Sequence, residues 1–134
     1  MSVKVPDRNT SDAQFISTAR MLEKETRNRC INAPKRYTFY GLHEFWLTSR
    51  RIHSCVKRAN SFNLAKDDQR IKRESLFVDA IVHIQDYISQ LELLVDDKVL
   101  TTKSSKVLSE LVFKELNLIK AVMKSDKKRT KNQN

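Results

Sequence analysis

The sequence predicts an all-α fold, an antiparallel up-down-up-down four-helix bundle, on three observations. One Gly and two Pro in 134 residues leave too little turn chemistry for a multi-stranded fold, which needs turn residues about every 8–12 positions. Apolar residues recur at three- and four-residue steps in four separate segments. The links between these segments are short, which makes successive helices antiparallel neighbours. With 40% hydrophobic and 31% charged residues, the chain suits one domain with a real core.

The first helix is expected from a cap at Ser11 or Asp12 to about Asn32, with Phe15, Ala19, Leu22, Thr26 and Cys30 on its inner side. Pro34 stops it. The second begins at Tyr40 to Leu42 and carries Leu42, Phe45, Ser49, Ile52, Val56 and Ala59, a seam of the bundle type. Asp67 and Asp68 place negative charge at the start of a third helix, where it is stabilising. Leu76, Ala80, Ile84, Tyr87, Ile88, Leu91 and Leu94 line that helix, which ends near Asp97. Thr101 or Thr102 caps a fourth, with Leu108, Leu111, Val112, Leu118, Ile119 and Val122 inside. The expected organisation is a flexible arm over residues 1–10, a bundle over 11–125 and a fraying basic tail over 126–134. No internal repeat suggests a solenoid.

In "INAPKRYTFYG", residues 31–41, Lys35 and Arg36 stand beside Tyr37, Phe39 and Tyr40. Basic and aromatic residues so interleaved make a nucleic-acid platform or a helix connection whose rings close the end of a core. Between Pro34 and Gly41, the second reading places the three rings against the bundle and leaves Lys35 and Arg36 exposed.

Signs of catalysis are absent. His43, His53 and His83 have no companion at metal-ligand spacing, and no Glu-x-x-His pair of the di-iron type occurs. One glycine cannot build a phosphate-cradling loop. Cys30 and Cys55 sit in helical pattern beside apolar residues and read as reduced core thiols, which suits a reducing cytoplasm. No metal or other cofactor is expected. The N-terminus lacks the apolar stretch of a signal peptide, and no run approaches the roughly 18 apolar residues of a membrane span. A soluble, cytoplasmic protein is expected.

Charge is the stronger signal: +10 at neutral pH points to an acidic or polyanionic partner. Glu23 with Arg27, Glu25 with Arg29, Asp68 with Lys72, Arg70 with Glu74 and Glu110 with Lys114 read as i,i+4 pairs on helix surfaces. Arg50, Arg51, Lys57 and Arg58 have no acid within four residues. On a helical wheel they fall within roughly 120°, opposite the apolar seam. That stripe is either a solvated face or the site of a phosphate-bearing partner, since each neutralised phosphate releases counterions. Lys120, Lys124, Lys127, Lys128, Arg129 and Lys131 form a second basic cluster, a solubilising tail or an auxiliary contact. From Asp79 to Asp97 the only charged residues are acids, Asp79, Asp86, Glu92, Asp96 and Asp97. These make a solvated face or a strip that meets a neighbouring subunit's basic residues.

"PKRYTFYG" after the first helix, "RANSF" near the end of the second and "MKSDKKRTK" after the fourth together resemble the accessory variability determinants. These are small basic four-helix-bundle proteins encoded with diversity-generating retroelements. The resemblance spans about residues 12–131 and rests on motif order and spacing. It is carried by Pro34, Lys35, Arg36 and Tyr37 in one motif and by Lys124, Ser125, Asp126, Lys127, Lys128 and Arg129 in the other. It implies a non-enzymatic homopentamer that binds a reverse transcriptase and nucleic acid, template RNA or cDNA, in support of mutagenic reverse transcription. The ribosome-associated four-helix-bundle proteins share this architecture, and an rRNA-associated scaffold without a reverse transcriptase partner is the alternative. The expected binding residues are Arg50, Arg51, Lys57 and Arg58 from the wheel, with Lys35, Arg36, Lys124, Lys127, Lys128 and Arg129 from the motifs.

Overall fold

The computed structural model describes residues 4–133, and side chains over residues 14–37 and 41–131. Four helices form: α1 (Lys4–Asn32), α2 (Leu42–Asn60), α3 (Asp67–Asp96) and α4 (Thr102–Gln133). Two expected ends differ. Residues 4–10, expected as an arm, belong to α1, and the expected tail from residue 126 belongs to α4.

Contacts between helices fix their directions. Phe15 meets Phe77 edge-on at 5.5 Å, and Thr26 bonds Tyr87 at 2.7 Å, so α1 and α3 run parallel. Glu23 meets His53 and Cys30 meets Leu42, so α1 and α2 are antiparallel. Ala59 meets Arg73 while Phe45 stacks on Tyr87, which makes α2 and α3 antiparallel, and Arg73 meets Asp126 where α4 returns. The chain is an up-down-up-down four-helix bundle with α1 packed on α2 and α4, and α3 packed on the same two.

The predicted seams supply most of the core, while Cys30, Leu76, Ile88, Leu111, Leu118 and Val122 pack half-buried against it. Phe15, Ala19, Leu22 and Thr26 are buried on α1, and all six seam residues named on α2 are buried. The hydroxyls among them are satisfied on their own helices: Thr26 Oγ1 donates to the Leu22 carbonyl at 2.7 Å and Ser49 Oγ to that of Trp46 at 2.6 Å. A back-bonded hydroxyl presents mainly its carbon to the interior, which lets Ser and Thr hold seam positions. With the Thr26 proton committed, the Tyr87 hydroxyl donates to Thr26 Oγ1. Tyr87 also stacks on Phe45 at 4.4 Å between centroids, worth about 0.5–1.5 kcal/mol beyond burial.

The ends follow local chemistry. The Ser104 amide donates to Thr101 Oγ1 at 3.1 Å, which makes Thr101 the cap of α4. Asn63 Oδ1 accepts from the Ala65 amide and Gln69 Oε1 from the Asn63 amide, shaping the turn into α3. After Pro34 the chain forms a 3₁₀ helix, Lys35–Tyr40, and Gly41 then takes φ 106° to launch α2. Tyr37 packs half-buried against the core, as expected, whereas the side chains of Phe39 and Tyr40 lie outside the described residues. Lys98 closes α3 at φ 60°, a left-handed position held by a residue with a Cβ.

The core also holds an acid without a countercharge. Glu115 is fully buried on α4, and neither carboxyl oxygen has a hydrogen-bond partner among the described residues. It stands one turn from both Val112 and Ile119, which are themselves fully buried. Burial without a countercharge pushes its carboxyl up to about 8, so it is mainly protonated at neutral pH. Burial likewise pushes the Cys30 thiol up to about 11 and raises that of Cys55, and both cysteines are free.

Two sets of variants test these points. Gly41→Ala meets open space, since nothing lies within 4 Å of an added Cβ, so its cost is conformational, about 1–2 kcal/mol. Lys98→Gly relieves the same strain and raises stability by about 1 kcal/mol; urea unfolding measures both. For Glu115, the unfolded carboxyl ionises near 4.5 and the native one near 8. The unfolded chain therefore sheds its proton first, and stability falls as pH rises between those values. Glu115→Gln removes that slope and is the more stable protein at pH 8 and above, by a few kcal/mol at order of magnitude, read from urea midpoints across pH.

Candidate nucleic-acid interface

The outward face of α2 follows from its buried one. Because Leu42, Phe45, Ser49, Ile52, Val56 and Ala59 all turn inward, Arg50, Arg51, Lys57 and Arg58 stand exposed on the other side. From Arg50 to Arg58 the helix rises about 12 Å, which matches roughly three phosphate steps along one strand. Three of the four cations form no ion pair among the described residues. The fourth is corrected: Arg51 Nη1 bonds Glu44 Oε1 at 2.9 Å, seven residues back and two turns down the same face. The long arginine stem reaches an acid beyond the four-residue range of a single helical turn.

Helix α1 adds cations that i,i+4 spacing had assigned away. Glu23 does not pair with Arg27; it accepts from His53 Nδ1 at 2.8 Å across the α1–α2 contact. Arg27 is thereby released, and Arg20, Lys24 and Arg27 stand exposed at i, i+4 and i+7 without an ion pair among the described residues. Elsewhere the Glu25–Arg29 pair forms as expected, while Arg70 takes Asp67 rather than Glu74. Asp68 with Lys72 and Glu110 with Lys114 form no ion pair among the described residues.

At the start of α2, His43 stands edge-on to Trp46 at 6.1 Å, one turn before Arg50. The indole Nε1 of Trp46 is buried without a partner among the described residues. An aromatic pair at the head of a basic line offers a ring face to a base. The only signal for it in the sequence is the single Trp, four residues before Arg50.

The motif residues lie at opposite ends. Lys35 and Arg36 are exposed on the 3₁₀ helix that precedes α2, where the Arg36 guanidinium covers the Tyr37 ring at 4.9 Å. Lys124, Lys127, Lys128 and Arg129 are exposed at the far end, beside the close of α2. Arg129 lines a groove with Asn60, Phe62 and Asn63, just past Lys57 and Arg58, whereas Lys124, Lys127 and Lys128 line a different groove between α3 and α4.

These four cations are held by helix, not by a frayed tail. Arg73 of α3 is buried, and its Nε and Nη2 donate to the Asp126 carboxylate at 2.7 and 3.3 Å. Arg73 Nη1 also points at the Ala59 carbonyl, at 3.4 Å. Thr130 Oγ1 donates to the Asp126 carbonyl one turn on. The tail reading failed because the one acid in "KSDKKR" has a buried partner 53 residues away.

No helix among the described residues is long and apolar enough to cross a membrane. No protein-family model, curated protein or solved structure matches the chain. Asp126→Asn strands the Arg73 charge and should cost about 3 kcal/mol, measured by urea unfolding, with loss of helix content beyond residue 126. Replacing both partners by apolar residues, as Arg73→Met with Asp126→Leu, should recover most of that loss.

Proposed function

We propose that this protein is a non-enzymatic, basic accessory protein of a diversity-generating retroelement, which binds template RNA or cDNA together with a reverse transcriptase. The observation that carries the nucleic-acid half is the outer face of α2, where Arg50, Lys57 and Arg58 are exposed without an acid partner among the described residues. Arg20, Lys24 and Arg27 extend the same charge on the neighbouring helix. Cations not spent on the protein's own acids gain most from phosphate, because nothing must be broken before a phosphate replaces water and counterions. His43 and Trp46 give this line a stacking element, and Lys35, Arg36 and Arg129 mark its two ends. The reverse transcriptase partner rests on the motif resemblance alone.

The test is fluorescence anisotropy of the purified chain with single-stranded RNA and DNA over a salt series. Binding should weaken linearly in log–log form as salt rises. Changing Arg50, Lys57 and Arg58 together to Ala should weaken it at least about tenfold and lower the slope by about two, while Arg51→Ala, which removes a cation already paired with Glu44, changes little. Absence of salt-dependent binding sinks the proposal. A retroelement reverse transcriptase that fails to co-purify with the chain, while RNA binding persists, leaves an RNA-bound scaffold instead.

A further inference from the structure

The stretch "RANSF", residues 58–62, closes α2 and carries chemistry that the basic line leaves unused. Beyond Arg58, its Asn60 and Phe62 line a groove of about 360 Å³ together with Asn63, Arg73 and Arg129. That volume falls in the range of small-ligand sites, about 300–1,000 Å³. No acid lines it among the described residues.

The turn is held in place by its own hydrogen bonds. The Phe62 amide donates to the Ala59 carbonyl at 3.2 Å, and the Asn63 amide donates to Gln69 Oε1 at 2.7 Å. Asn63 Oδ1 accepts from the Ala65 amide at 2.9 Å, which leaves its Nδ2 as a donor to a ligand. The Asn60 side chain is exposed and makes no hydrogen bond among the described residues, so it offers a donor and an acceptor side by side. Arg73 is spent on Asp126, whereas Arg129 is exposed and forms no ion pair among the described residues. The groove therefore combines an aromatic ring, two carboxamides with free hydrogen-bonding groups and one available guanidinium.

We propose that this groove receives one unpaired base of a single strand whose phosphates lie along Arg50, Lys57 and Arg58. A nucleobase brings a flat face for Phe62 and an edge of donors and acceptors for Asn60 and Asn63, while Arg129 takes the adjoining phosphate. Inorganic phosphate would use Arg129 alone, and an aliphatic ligand would leave both carboxamides without partners. In a duplex the same face and edge are covered by stacking and pairing. The inference rests on the nucleic-acid reading of α2 and deepens it: the basic line holds phosphates whatever the bases do, and the groove adds a requirement for an unpaired base.

Anisotropy of the full chain with a single-stranded oligonucleotide, and with a strand of the same length made of abasic residues, separates the two contributions. Phe62→Leu keeps apolar bulk and loses the stacking face. It should weaken binding of the normal strand about tenfold with an unchanged salt slope, and leave binding of the abasic strand unaltered. Asn60→Ala, at an exposed position, should act in the same direction, with circular dichroism confirming that both variants keep the helical signal. In nuclear magnetic resonance spectra of the full chain, a nucleoside 5′-monophosphate should shift the side-chain amide signals of Asn60 and Asn63, and inorganic phosphate at equal concentration should not. Salt-dependent strand binding that ignores Phe62→Leu and Asn60→Ala, or amide signals that do not respond to the mononucleotide, overturns the groove and leaves the reading of α2 standing. A parent chain that binds no strand at any salt concentration overturns both.

Discussion

The arrangement of the basic end depends on one buried ion pair. Arg73 brings a charge into the bundle where α2 ends, α3 begins and α4 returns, and it is tolerable there because Asp126 meets it with both oxygens and the Phe77 ring lies 5.1 Å beneath it. Burying either charge alone would cost several kcal/mol. The pair need not add net stability to be decisive, since it permits one register between α3 and α4 and penalises the others. With Asp126 fixed, Lys124, Lys127 and Lys128 take set positions on one rigid helix. A frayed tail would spread the same charges through solvent.

The bundle was legible because its seams repeat. Phe15, Ala19, Leu22 and Thr26, or Leu42 through Ala59, follow the helical period, and every one of them is buried. The single Gly likewise fell where a chain reversal needed a left-handed residue. What could not be read were charged groups whose partners lie far along the chain. Arg73 sits in the α3 seam yet reads as surface, because the acid that licenses it is on another helix. Glu115 reads as surface for the simpler reason that carboxylates are seldom buried without a partner. The i,i+4 rule gave Glu23 to Arg27, when the bundle offered it His53 instead.

The same packing sorts the charge of the molecule. Free cations collect on the outward faces of α1 and α2, and the far end of α4 adds more. On α3 exposed acids alternate with exposed apolar and neutral polar residues. A net charge of +10 is thus a sum over surfaces of opposite character.

Glu115 gives the core a chemical identity beyond its shape. At neutral pH the unfolded chain holds this carboxyl ionised, while the native interior holds it mainly protonated. Folding therefore takes a proton from the surrounding buffer, which must ionise to supply it. The heat absorbed when the bundle melts then carries a share of the buffer's own ionisation enthalpy, and calorimetry in two buffers of equal pH would count the proton directly. Solvent protons are in this sense a ligand of the native state, bound at the centre of the bundle.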